Sequence, residues 1–198
     1  MAIQGDVQEN ILSTKKALDD LGIDGTVTDV KTADGVKKLD GLIIPGGEST
    51  TIGQLSLVNS SLRIIKEKIE GGMPVFGICA GMILLAKTAS DRVVGKTNQP
   101  LLDLLEIKVE RNSFGRQRES FEAEIAMDSI SIPKFRGVFI RAPSVSELSS
   151  DVEVLSKFNE KIVAIKKGNI IGTSFHPELT SDVSLHKYFI NLVKNSKN

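Results

Sequence analysis

The order of apolar segments along these 198 residues predicts an α/β fold. It should be a three-layer sandwich with a mostly parallel central sheet between helices, and with antiparallel strands added in the C-terminal half. Three observations carry this expectation. Gly41-Leu42-Ile43-Ile44 and Val75-Phe76-Gly77-Ile78 are continuous apolar runs of strand length, the pattern of strands buried on both faces. Helical stretches with one apolar face separate them. Beyond Leu105 the pattern changes to closely spaced strands joined by short turns. The length suits one domain over residues 1–198, with a substantial core and no room for two comfortable domains.

Element by element, Met1-Ala2-Ile3 reads as the tail of a strand, and Asp6 as the cap of a helix with Val7, Ile11, Leu18 and Leu21 on its apolar face, ended by Gly22. Gly25 to Val30 alternates like a strand. The strand at Leu42 stops at Pro45-Gly46-Gly47-Glu48-Ser49-Thr50, and a helix with Leu62, Ile65 and Ile69 on one face closes at Gly71-Gly72. The strand at Val75, led in by Pro74, turns into a buried helix at Met82 to Ala86. Polar residues and Pro100 make Ser90 to Leu101 a loop. Strands are expected at Leu105 to Glu110, Phe121 to Met127, Gly137 to Ile140, Val152 to Phe158, Ile162 to Lys166 and Ile170 to Phe175, with a hairpin turn at Asn159-Glu160. A last helix from about Ser181 to Asn195 buries Leu185, Tyr188, Phe189 and Leu192, and turns His186 to solvent.

Composition narrows the function. Lys plus Arg and Asp plus Glu number 25 each with no run of like charge, so neither nucleic acid nor an anionic membrane surface has electrostatic support. A single cysteine forms no internal disulfide, and no apolar stretch is long enough to span a bilayer. The N-terminus lacks the basic-then-apolar pattern of a secretion signal, so the cytoplasm is the expected compartment, where a thiol stays reduced.

That cysteine stands at a corner. Cys79 joins the apolar strand to the following helix, and Gly77 and Gly81 flank it as G-x-C-x-G, the thiol counterpart of the G-x-S-x-G elbow. A helix starting beside the sulfur favours the thiolate, the attacking form. A catalytic thiol needs a base held by a third polar group. Of the two histidines, His176 directly follows the strand at Ile170, Pro177 fixes the next turn, and Glu178 can fold back on the imidazole. The expected triad is Cys79, His176 and Glu178. An oxyanion formed by thiolate attack needs preorganised N–H donors, which Ala80 at the helix start and Gly47 can supply. No metal or cofactor is called for. A cysteine hydrolase acting on other γ-glutamyl or peptide bonds, or an idle binding subunit, remain alternatives at this point.

With these residues in hand, the chain resembles the class I glutamine amidotransferases, and within them the glutaminase subunits of pyridoxal-phosphate synthase. The general signature is Gly77-Ile78-Cys79-Ala80-Gly81 with His176-Pro177-Glu178. The narrower one adds Gln4-Gly5-Asp6, Pro45-Gly46-Gly47-Glu48-Ser49-Thr50, Arg111-Asn112-Ser113-Phe114-Gly115-Arg116-Gln117, Phe139-Ile140-Arg141-Ala142-Pro143 and Ser174-Phe175-His176-Pro177-Glu178-Leu179, in family order across nearly the whole chain. The resemblance implies a flavodoxin-like three-layer fold and hydrolysis of L-glutamine to glutamate and ammonia through a thioester on Cys79. It also implies a separate synthase subunit as partner, in a hetero-oligomer with several copies of each. Glutamine would be bound by Gly47, Glu48, Ser49, Arg111, Ile140 and Arg141. It further implies a full strand ahead of Gln4, so a start upstream of Met1 is expected, which an intact mass of the native protein checks.

Overall fold

A computed structural model describes residues 7–51, 53, 61–91, 95–97, 99–115 and 120–197. The expected strand tail at Met1, the Gln4-Gly5-Asp6 motif with its Asp6 cap, and Arg116 and Gln117 lie outside the described residues. The elements are α1 (Val7–Leu21), α2 (Ala33–Lys37), β1 (Leu42–Ile44), α3 (Ser61–Glu70), β2 (Val75–Ile78), α4 (Ala80–Leu85), β3 (Ala86–Asp91) and β4 (Gly95–Lys96). They continue as β5 (Leu105–Arg111), β6 (Ser120–Met127), β7 (Ile132–Ile140), β8 (Ser144–Leu148), β9 (Glu153–Phe158), β10 (Lys161–Lys167), β11 (Ile170–Thr173) and α5 (Ser184–Asn195).

One mixed sheet runs β1-β2-β11-β10-β8-β5-β3-β4, with β9 paired to β10. Its parallel part is β1, β2 and β11, where Gly77 of β2 lies level with Ile44 on one side and Gly172 on the other. β3 and β5 form a second parallel pair. The remaining pairings are antiparallel, including β9–β10 around the Asn159-Glu160 turn. Both turn residues have positive φ, 48° and 61°, as a tight two-residue hairpin turn requires.

Three layers follow from strand alternation. Val75 of β2 joins a core with Val36 of α2, Ile65 and Ile69 of α3 and Leu84 of α4, whereas Phe76 and Ile78 point to the opposite face. There they meet Leu185 and Phe189 of α5 and the separate β6–β7 hairpin. Phenylalanines weld that hairpin on: Phe121 stacks on Phe139 at 4.6 Å between centroids, and Phe139 touches Phe175 just beyond β11.

Four local expectations are corrected. Residues 25–30 form no strand. β1 is the sheet edge nearest them, and no described strand supplies the backbone partners that would turn extended chain into a ladder. Instead they line a cavity of about 1140 Å³ with α1, β1 and α5. The expected apolar face of α1 is buried only in part: Leu18 and Leu21 pack with Ala17 against Val183 and Ile190, Val7 and Ile11 border that cavity, and the most buried positions are Asn10, Ser13, Thr14 and Ala17. His186 is fully buried rather than solvated, because α1 covers that side of α5: its Nε2 lies 3.4 Å from Asn10 Oδ1, and its ring stands edge-on to Phe76. Finally, the helix after Cys79 ends at Leu85, and β3 follows at once. Its sequence, Ala86 to Asp91, has no strand signature of its own and is held extended by β4 and β5 on its two sides.

Candidate active site

The parallel strands all end on one side, and the expected site residues gather there. At the end of β2 the chain breaks upward: Cys79 has φ 50° and ψ −101°, a conformation that costs a side-chain-bearing residue about 1–3 kcal/mol. Two contacts explain why it is tolerated. The Cys79 N–H donates to the Thr173 carbonyl of β11 at 2.7 Å, and α4 begins one residue later with no room to shift. A Cβ on Gly81 would sit 2.1 Å from the Ile44 carbonyl oxygen, and one on Gly77 would sit 2.7 Å from the Gly81 carbonyl carbon. The G-x-C-x-G glycines thus let α4 press backbone to backbone on β1 and β2.

His176 arrives from β11. Its N–H donates to the Val138 carbonyl of β7 at 2.8 Å, fixing the loop against the hairpin. Pro177 then opens a single turn, Pro177–Leu179, that brings Glu178 back beneath the ring. Nδ1 and Glu178 Oε1 are 2.9 Å apart, leaving Nε2 for the sulfur, and the imidazole is hydrogen-bonded to Cys79 as well. Cys79, His176 and Glu178 are 8%, 4% and 5% exposed. Burial works to lower the imidazole pKa, but the hydrogen bonds and attraction of Cys79 and Glu178 outweigh it and raise it from 6.5 to about 10. A ring so raised keeps its proton-donating form at neutral pH, beside the Cys79 sulfur.

The loop after β1 closes over this pair. Gly46 packs so tightly that a Cβ there would lie 2.3 Å from His176 Cε1, and Gly47 has φ 144°, reserved for glycine. Next to them the exposed Glu48 accepts from the Thr51 N–H and hydroxyl at 2.7 and 2.8 Å and from the Thr50 N–H at 3.2 Å. Partial burial disfavours its charge, yet these donors hold its pKa below the ordinary carboxylate range. Arg111, at the end of β5, meets Glu48 Oε1 through Nη2 at 3.1 Å. Ile140 closes β7 and the exposed Arg141 follows it with φ 43°. The Ser113 N–H donates to the Ala142 carbonyl at 3.0 Å, which ties the two segments together.

Residues 1–195 match the family described as the SNO glutamine amidotransferase family. The chain belongs to that family. A protein of Nitrosopumilus maritimus (strain SCM1) named pyridoxal 5'-phosphate synthase subunit PdxT is 68% identical over 197 residues, 100% of this chain and 96% of that protein. One of the same name from Archaeoglobus fulgidus is 48% identical over 99% of this chain and 98% of its own length. A crystal structure of a glutamine amidotransferase superposes with a TM-score of 0.84 at 42% identity, covering 98% of this chain and 97% of that one. The family resemblance and the α/β fold read from the sequence are thereby borne out, and the chain is a glutaminase-type enzyme.

Sequence reasoning missed one member of the polar cluster around Glu48 and Arg111 in this amidotransferase. Gln99, placed in a featureless loop, is buried, and its Oε1 accepts from Ser49 Oγ, Thr50 Oγ1 and Arg111 Nη1. Its partners are distant in sequence, so no local spacing points to it. Its one local signal is a position immediately before Pro100. Among the described residues no group of three or more His, Cys, Asp or Glu side chains is arranged to hold a metal ion, and no helix is long and apolar enough to cross a membrane.

Proposed function

We propose that this chain, acting as one domain, hydrolyses L-glutamine through a thioester on Cys79 and passes the ammonia to a synthase subunit that builds pyridoxal 5'-phosphate. The observation that carries the chemistry is the buried His176 ring set between Cys79 and Glu178, with Nδ1 2.9 Å from Glu178 Oε1. The sulfur attacks the side-chain carbonyl carbon of glutamine, and the N–H groups of Ala80 and Gly47 receive the resulting oxyanion. His176 gives its proton to the amide nitrogen, the C–N bond breaks and ammonia leaves. The imidazole then takes a proton from water, whose oxygen attacks the thioester, and collapse frees glutamate with the proton returned to the ring and the sulfur anionic. Glu178 holds the ring and does not react.

Glu48 and Arg111 suit the other end of the substrate. Free glutamine is a zwitterion there, and its carboxylate and ammonium complement a guanidinium and a carboxylate that pair with each other when no ligand separates them. Ser49, Ile140 and Arg141 complete the wall. The synthase partner rests on the shared name of the relatives, pyridoxal 5'-phosphate synthase subunit PdxT. A cytoplasmic hetero-oligomer with several copies of each subunit, free of cofactor in this chain, fits that role. Ammonia release is measured at saturating glutamine with the chain alone and after adding the synthase subunit. A low rate alone and a strong rise with partner is expected, because Gly47 can turn its N–H into the oxyanion site once a partner fixes that peptide. No ammonia under either condition refutes the reading.

A further inference from the structure

The structure assigns Gln99 as a positioning residue that sets recognition of the α-carboxylate of glutamine through Arg111. This rests on the glutaminase reading above. The carbonyl oxygen of Gln99 accepts from Ser49 Oγ and Thr50 Oγ1 at 3.2 Å each and from Arg111 Nη1 at 3.3 Å. A guanidinium only donates, so the atom facing it is the oxygen and the amide orientation is settled. Gln99 is 8% exposed, and its Nε2 is buried without an acceptor among the described residues. An amide that has lost its water and gained nothing in return is unfavourable for stability. An apolar side chain of the same length would avoid that burden. The carbonyl end is therefore the part the site uses.

Its use is visible in what it joins. Ser49 and Thr50 belong to the loop that carries Gly47 and Glu48, and Arg111 ends β5 on the other side of the site. With Nη1 shared between Gln99 and Thr50, and Nη2 on Glu48, the guanidinium plane is fixed before substrate arrives. A neutral acceptor adds to that hold without adding a second negative charge to the one Glu48 brings. A carboxylate in the same place would hold the same three donors but compete with the substrate carboxylate for the arginine.

The test compares two substrates in the assembled complex with the synthase subunit: glutamine, and 4-aminobutanamide, which is glutamine without its α-carboxylate. Gln99→Leu is expected to raise KM for glutamine about tenfold with kcat within about threefold, and to lower the preference for glutamine over 4-aminobutanamide by the same factor. Gln99→Glu, which keeps the shape and the acceptors, is expected to weaken glutamine at least as much while leaving 4-aminobutanamide unchanged, and it carries the test if the leucine variant does not fold. Equal losses on both substrates, a loss in kcat alone, or no change overturn the assignment. A wild-type complex that releases no ammonia from glutamine overturns the glutaminase reading, and this assignment falls with it.

Discussion

At the ends of β1, β2 and β11 the side chains of the proposed triad are held by backbone. Cys79 hangs from a Thr173 carbonyl, His176 from a Val138 carbonyl, and Gly46, Gly77 and Gly81 are glycines because neighbouring atoms leave no space for a Cβ. In the loop after β1 and at the end of β5, the proposed recognition rim is held differently. Glu48 and Arg111, with side chains 47% and 23% exposed, are fixed by hydroxyls, an amide and each other. Backbone packing cannot relax by a rotamer change, whereas a side-chain network can re-form around a ligand. The first region is suited to holding reacting atoms within a fraction of an ångström, and the second to exchanging protein partners for substrate groups. Breaking either should therefore have a different kinetic signature.

The largest effect is expected at the corner itself. Cys79→Ser should lower glutamine hydrolysis by at least about a thousandfold without unfolding the protein, and His176→Asn nearly as far, while Glu178→Gln costs less because the carboxylate only orients the ring. Single labelling of the wild type by a diazo-ketone glutamine analogue, mapped by mass spectrometry, checks the nucleophile: an adduct away from Cys79 contradicts the assignment. Next comes Gly46→Ala. The added methyl overlaps His176 Cε1, so the ring must move, and kcat should fall about a hundredfold with KM little changed. A variant with wild-type kcat would mean that the loop yields easily, and the contrast between rigid corner and adaptable rim would lose its basis. Arg111→Ala should do the reverse, raising KM about tenfold or more with a smaller change in kcat. Steady-state kinetics on the complex separates the two patterns.

The same contrast explains what could be read in advance. The corner is written in contiguous motifs, since a strand, a tight turn and a helix start need particular neighbours in sequence, and Gly77 to Gly81 and His176 to Glu178 supply them. β1 and β2 were legible because strands buried on both faces must be apolar throughout, and β9–β10 because Asn159-Glu160 accepts positive φ. The rim is assembled across sequence gaps, so Arg111 was found only through a family motif and Gln99 not at all. β3 and β8 are largely polar, and their extension comes from neighbouring strands rather than from their own residues. For α1 the sequence shows the inward face only in part: Leu18 and Leu21 do pack inward, but the most buried positions, Asn10 and Ala17 among them, are set by the helix laid against it, α5.

The two histidines carry the comparison to its mildest and most quantitative form. Both are buried, yet their partners send them in opposite directions. His176 lies between Cys79 and Glu178 and is raised to about 10, while burial dominates at His186, outweighing the charge of Asp182, and lowers it to about 4. The linkage signs differ accordingly. For His176 the folded value lies above the ordinary 6.5, so its contribution to stability is fully present below pH 6.5 and is lost as pH rises toward about 10. For His186 the folded value lies below 6.5, so its contribution is present above pH 6.5 and is lost as pH falls toward about 4. Carboxylates also titrate on the acid side, so the informative quantity is a difference between proteins. Unfolding free energy measured by denaturant from pH 7 to pH 4 should fall less steeply in His186→Leu than in wild type, by up to about 1.4 kcal/mol per pH unit within the window, whatever the substitution costs at pH 7. Parallel curves would mean that His186 takes up its proton in the folded protein at the same pH as in the unfolded chain, which the burial of its ring beside Phe76 and Asn10 argues against.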